Sequence, residues 1–346
     1  MDLQEKLTSW DNLMLAYANA ARGKRGRGAT AHFEFKLGDN LIALQDELSA
    51  QTWQPGGYYN FLIHEPKKRL ISAAPFRDRV AHHALCNVIV PLLEKRFIPT
   101  SYANRIGKGT HRAIDECQRL ARRYKYFLQC DVVQFFPSID HAILQTELDK
   151  ALPDDSLFWL IDKILASGAG VLANEYDMVF FDGDDLFAVQ RPRGLPIGNL
   201  TSQWWANAYL NPFDHFVHRE LRCSAYLRYV DDFVLFANDK STLFGWREAL
   251  IDQLKGLRLT IHEERAIPRP VTDGIRFLGF AIYPDHRALK SAKNRAFQRK
   301  LKHLVETSSQ QEIKASVQGW INHVRYGDTW GLRETVLEKF NLLAEV

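Results

Sequence analysis

The strongest constraint on this chain is acid placed where a β-pattern should be apolar. In Phe127-Leu128-Gln129-Cys130-Asp131-Val132-Val133-Gln134-Phe135-Phe136 a lone aspartate interrupts a strand-like run. In Tyr226-Leu227-Arg228-Tyr229-Val230-Asp231-Asp232-Phe233-Val234-Leu235-Phe236 two adjacent aspartates separate two apolar strands. Carboxylates in such places must be paired, hydrogen-bonded or metal-bound, because burying them bare is costly. Taken singly, Asp131 reads equally well as a half-exposed turn residue, and the doublet as an ordinary β-turn, where aspartate is favoured.

Together the two places match one chemical need. Nucleotidyl transfer is an in-line attack of a 3′-hydroxyl on an α-phosphate, stabilised by two Mg2+ ions roughly 3.5–4 Å apart. Mg2+ takes hard oxygen ligands and keeps water and phosphate in its shell, so few carboxylates suffice. On this reading Asp131 and Asp231 contact both ions and Asp232 completes the negative field, ligating one of them more weakly.

Composition narrows the setting. With 46% hydrophobic and 25% charged residues the chain is an ordinary globular one, which excludes a mainly disordered protein. Cys86, Cys117, Cys130 and Cys223 form no C-x-x-C pair, so neither a disulfide framework nor a zinc site is expected. No apolar run approaches the roughly 20 residues of a membrane span. The acidic, polar start Met1-Asp2-Leu3-Gln4-Glu5 is unlike a secretory signal. A cytoplasmic protein is the expectation. The net charge of +4 is mild, but its distribution is uneven. Arg22, Lys24, Arg25 and Arg27 stand among glycines without an acid, and Arg119, Arg122, Arg123 and Lys125 form a second group. Seven basic residues and no acid lie between His286 and Lys302. Any one cluster reads equally as a solvated face; three together point to a phosphate backbone.

The coarse pattern is mixed α and β. Helices are expected from Leu3 until the glycine- and arginine-rich stretch 22–28, from Asp39 to about Leu48, and over 78–96, 138–152 and 200–221. Strands are expected at 58–63 and 69–72, joined as a hairpin, at 127–136, and near 257–262 and 275–283. Met178–Phe181 and Leu186–Val189 flank Asp182-Gly183-Asp184-Asp185 as a second hairpin signature, its aspartates read as turn residues. From about Pro284 the pattern is helical and basic. There, packing between helices is the expected role of Trp320, Tyr326 and Trp330.

At this point the sequence resembles the reverse transcriptase family. Tyr229-Val230-Asp231-Asp232 resembles the family's motif C and the Asp131 segment its motif A. Four further blocks follow the family's order. They are Arg69 with Pro75-Phe76-Arg77-Asp78-Arg79 (fingers), Ser101 to His111 (before motif A), Arg193-Gly194-Leu195-Pro196-Ile197-Gly198-Asn199-Leu200-Thr201-Ser202-Gln203 (motif B) and Phe277-Leu278-Gly279 (primer grip). The resemblance implies an α+β right-hand polymerase. Its parts would be an N-terminal helical extension (1–54), fingers (55–130), a palm with an antiparallel sheet and helices (131–284) and a helical thumb (285–346). It implies RNA-directed DNA synthesis with two Mg2+, or Mn2+ in their place. Val132 would offer a backbone carbonyl to a metal. Arg69, Arg77, Phe136, Ile197 and Gly198 would meet the deoxynucleoside triphosphate, Phe136 as the flat ring that excludes a 2′-hydroxyl. Lys67 and Lys68 are alternatives for the triphosphate. Lys290, Lys293, Arg299 and Lys300 would track the template–primer backbone. Arg265 stands where relatives often carry lysine, and an ion pair with Glu263 or Glu264 is expected of it.

Motif B carries Ile197 where many relatives carry glutamine. This form resembles the reverse transcriptases of diversity-generating retroelements, which copy a template RNA into cDNA mutated at adenines and work with a small basic accessory protein. A group II intron-like or retron-like reverse transcriptase is the alternative enzyme. A non-catalytic RNA-binding scaffold on the same fold is the alternative from another class.

Overall fold

The structure is a computed structural model. It describes residues 2–64, 68–340 and 342, apart from the side chains of Ala292 and Lys293. The chain forms two compact units interleaved along the sequence. The first is Met1–Asn104, Val132–Arg222 and Ala249–His262; the second is Arg105–Asp131, Cys223–Glu248 and Glu263–Val346.

Helices dominate the first unit. The N-terminal periodicity, expected as one helix, is broken at Ser9 into Leu3–Thr8 and Trp10–Ala21. Ser9 is extended (φ −60°, ψ 141°), and its hydroxyl accepts the Asn12 N–H, so it caps the second helix. Gly28–Phe35 is a helix that the Gly/Arg pattern hid, and the next begins at Leu37, not Asp39, running to Ser49. The long helix Phe76–Glu94 starts two residues before the acid that seemed to open it. Asp78 is instead buried, accepting the Gly56 N–H at 2.7 Å. A Cβ on Gly56 would meet Pro75 Cγ at 2.9 Å, which explains glycine in that turn. Leu7, Leu13, Leu41, Leu44, Leu48, Val80, Ala84 and Ile89 are fully buried in these helices.

The hairpin that the sequence predicts forms from β1 (Tyr59–Ile63) and β2 (Arg69–Ala73), with Tyr59 paired to Ala73 and Ile63 to Arg69. The helix expected over 138–152 is shorter, His141–Asp149, and Asp140 caps it by accepting the Ile143 N–H. The helix expected over 200–221 is two, Leu200–Tyr209 and Asn211–Arg219, the second opening with Pro212 in its first turn.

The second unit holds the four-stranded and three-stranded sheets. β3 (Tyr126–Asp131), β4 (Tyr226–Tyr229), β5 (Asp232–Ala237) and β6 (Arg269–Pro270) form a four-stranded antiparallel sheet in the order β4-β5-β3-β6. β7 (Ile275–Phe277), β8 (Phe280–Ile282) and β9 (Arg287–Leu289) form an antiparallel meander. Leu278 and Gly279, both at positive φ, make the two-residue turn between β7 and β8. The strand expected over 127–136 therefore stops at Asp131, and β9 occupies residues read as the start of a helical region. The helices Ser291–Thr307, Gln310–Val324 and Trp330–Lys339 enclose a core of Leu301, Ile313, Val317, Trp320, Val324, Val336 and Leu337. Trp320 stacks on Phe297 at 4.4 Å and is buried as expected, whereas Trp330 is 72% exposed. All four cysteines are buried and unpaired. Among the described residues no helix is long and apolar enough to cross a membrane.

Candidate active site

The acids come together through strand register. β3 and β5 are antiparallel, and their last pair sets Asp131 directly opposite Asp232. Side chains in such a pair share one face, with Cβ atoms about 4.5–5.5 Å apart. Tyr229 lies opposite Asp232 on the other side, so Tyr229, Asp232 and Asp131 form one row across β4, β5 and β3. Val230 and Asp231 make the two-residue turn between β4 and β5 and put the third acid beside this row.

That turn is strained. Val230 has φ +59°, a conformation that a β-branched residue rarely adopts. Arg228, 1% exposed, donates to the Val230 carbonyl at 2.9 Å and so supports the turn from the opposite face. The Tyr229 hydroxyl shares a hydrogen bond of 3.0 Å with Thr110 Oγ1, at the start of the helix Thr110–Arg123. Strain held by surrounding structure is characteristic of functional sites.

The electrostatics follow from crowding. Burial pushes the Asp232 carboxyl up to about 8, the Gln129 amide opposes this, and the charges of Asp131 and Asp231 add to it. The Lys290 ammonium pulls in the opposite direction. Lys290, expected on the template–primer backbone, thus lies close enough to act on the acids. Nearby Cys130 is raised to about 12, chiefly by burial, which keeps its thiol protonated. Among the described residues no group of three or more His, Cys, Asp and Glu side chains is gathered into a metal cage. The opposed pair with a third acid on the adjoining turn suits a different donor set. Mg2+ is commonly held by one or two carboxylates, with waters and substrate phosphates filling its shell.

The first unit assembles other sequence-predicted residues. Val132, 3% exposed, bridges to Ile261, and the Val133 N–H donates to the Thr260 carbonyl at 2.8 Å. Phe136 is in the short helix Phe135–Ser138 rather than a strand, and its carbonyl accepts the Leu195 N–H. The Ile197 carbonyl accepts the Ser72 N–H at 2.8 Å, so the motif B turn is tied to β2. Gly198 has φ +118°, and a Cβ there would meet Ile71 Cγ2 at 2.9 Å. Asn199, given no role by the sequence, donates to the Ser72 carbonyl at 3.0 Å and accepts the Ala74 N–H at 3.2 Å. Arg69 is exposed at the start of β2. Arg77 forms an ion pair with Glu47, and its guanidinium lies 3.6 Å from Asp78. Lys67 lies outside the described residues, as does the side chain of Lys293. Arg299 and Lys300 are exposed on the helix Ser291–Thr307. Arg265 pairs with Glu264 at 3.3 Å, as expected.

The segment read as a second hairpin is not one. Its Asp184 accepts two hydrogen bonds from Arg258, at 2.7 and 2.6 Å, and Arg258 also lies 5.0 Å over the Phe181 ring. These bonds draw the Asp184 carboxyl down to about 2. Residues 186–190 form a 3-10 turn instead of a strand.

The family described as "Reverse transcriptase (RNA-dependent DNA polymerase)" matches residues 63–282, more than half of the chain. Protein YkfC of Escherichia coli strain K12 is 24% identical over 289 residues, which cover 71% of this chain and 72% of YkfC. Group II intron-encoded protein LtrA of Lactococcus lactis subsp. cremoris is 26% identical over 152 residues, which cover 44% of this chain and 23% of LtrA. Among solved structures, a partial Cas6-RT-Cas1–Cas2 complex superposes with a TM-score of 0.42 and 20% identity, over 73% of this chain and 42% of that one.

Proposed function

The chain belongs to the reverse transcriptase family, and we propose that it copies a template RNA into error-prone cDNA within a diversity-generating retroelement. The observation that carries the polymerase reading is the register pairing of Asp131 with Asp232 beside the turn that bears Asp231. In this reading Asp131, Asp231 and Asp232, with the Val132 carbonyl, hold two Mg2+ ions, or Mn2+ in their place. When bound, such ions stabilise the charge that develops on the attacking and leaving oxygens of the phosphoryl group.

The other residues bind and orient. Arg69 grips the triphosphate, a task suited to a guanidinium that presents paired donors to phosphate oxygens. Phe136 places its ring under the sugar and excludes a 2′-hydroxyl. Ile197 and Gly198, held against β2, line the nucleotide site, and isoleucine offers the base no hydrogen bond where glutamine would. Arg299 and Lys300 follow the template–primer backbone, which in a hybrid duplex is held by shape and phosphate contacts. The fingers, palm and thumb division, the small basic accessory protein and a cytoplasmic setting belong to the same proposal.

Similarity to LtrA favours a second reading, a group II intron-like reverse transcriptase without adenine-directed errors. One experiment separates them: sequencing of cDNA made by the wild-type chain and by Ile197→Gln on one RNA template. The retroelement reading expects wild-type errors concentrated at template adenine and fewer of them in the variant, since specificity rests on differential contacts in the transition state. Errors spread evenly over the four template bases would support the intron-like reading. Adenine errors that Ile197→Gln leaves unchanged would remove Ile197 from the account.

A further inference from the structure

Gln129 ties the second acid of the doublet, Asp232, to its surroundings. It precedes Asp131 by two positions on β3, so the two side chains share a face. Its Nε2 donates to Asp232 Oδ1 at 2.9 Å and to the Arg276 backbone carbonyl at 3.2 Å. The Arg276 carbonyl can only accept, which fixes the orientation of the amide, and the two bonds use both of its N–H groups. Arg276 is on β7, one residue before Phe277 and the Leu278-Gly279 turn. One side chain therefore ties the first residue of β5 to the backbone of the β7–β8 hairpin, the segment that resembles the primer grip.

We propose that Gln129 is a positioning residue for the metal-binding acids, orienting the Asp232 carboxylate and coupling it to the β7–β8 hairpin. The inference rests on the polymerase reading for the identity of the ligand, a divalent cation, but not for its geometry. A carboxylate has about four acceptor directions. Engaging one of them with an uncharged donor fixes the rotamer and leaves the remainder for a cation. A lysine here would neutralise the acid, and a shorter amide would not span the two partners. Glutamine meets both requirements of reach and charge. Partners of this kind typically contribute 10–100-fold to metal affinity or activity.

The test uses the full chain and two variants, Gln129→Met, which keeps length and loses the donors, and Gln129→Asn, which keeps the amide and loses reach. Mn2+ binding is titrated by electron paramagnetic resonance without nucleic acid, next to the Mg2+ dependence of RNA-templated primer extension and thermal melting. The expected result is Mn2+ affinity weakened about tenfold in each folded variant. The half-maximal Mg2+ concentration rises by a similar factor, and extension recovers at high Mg2+. Unchanged Mn2+ affinity in either folded variant overturns the proposal, as does lost extension that added Mg2+ does not restore. If the wild-type chain binds Mn2+ but extends no primer, the polymerase reading fails while the affinity comparison still decides the role of Gln129. A wild-type chain that binds no Mn2+ sinks both.

Discussion

His82 sits in the helix Phe76–Glu94 with 2% of its surface exposed, and its Nδ1 has no hydrogen-bond partner. Burial, with His83 and Arg79 nearby, pushes its imidazole down to about 3. Burial and then Lys24 lower His83 to about 4. Both are therefore neutral in the folded chain and gain protons on unfolding below about pH 6.5. Their contribution to stability is complete above pH 6.5 and is lost as pH falls towards 3–4. Asp232, whose folded value is raised, acts with the opposite sign over an overlapping range, so the readout is a difference. The denaturant-derived stability gained between pH 5 and pH 6.5 should be smaller in His82→Met than in the wild type, by up to about 1.4 kcal/mol per pH unit. Identical pH dependence in the two would contradict the burial argument. A buried imidazole has no signature in the sequence, so neither histidine stands out there. Asp131, Asp231 and Asp232 were legible for the opposite reason: a charge inside an apolar strand pattern needs an explanation. Gln129 breaks no pattern, and the engagement of Arg77 by Glu47 depends on a partner thirty positions away.

At the scale of elements, the segment between Met178 and Gln190 shows where local patterning misleads. Asp-Gly between apolar runs predicts a hairpin, yet the Asp184 carboxylate and N–H both bond to Phe181, closing the turn on itself. Arg258 then clamps it from more than seventy residues away, and Asp140 lies 3.7 Å from the same guanidinium. Phe180, Leu186, Phe187 and Val189 stay exposed on the segment so held. Lysine is a point charge that reproduces neither the paired bonds nor the stacking on Phe181. Arg258→Lys should therefore speed chymotryptic cleavage between Phe180 and Phe187 several-fold. Cleavage at the wild-type rate would show that the segment is held by something else. Where an element depends on neighbours in sequence, as in β1–β2, the sequence reading and the structure agree. Where it depends on a distant cation, or on an interruption such as Ser9, they differ.

For the molecule as a whole, long-range pairing overrides consecutive order. β3 lies between β5 and β6, partners more than ninety residues further along, and the two compact units are interleaved accordingly. Motif order survives this rearrangement, which is why the family was legible while the boundaries of many elements were not. The central claim is that Asp131, Asp231 and Asp232 act together on one reacting phosphate. It is tested most directly by RNA-templated primer extension with Asp131→Asn, Asp231→Asn and Asp232→Asn, each isosteric and each checked for template–primer binding. Removing a charge that stabilises the transition state by about 4 kcal/mol lowers the rate about 10³-fold. The account expects a loss of that order in each variant with template–primer binding retained. Extension at the wild-type rate by any one of the three would contradict it.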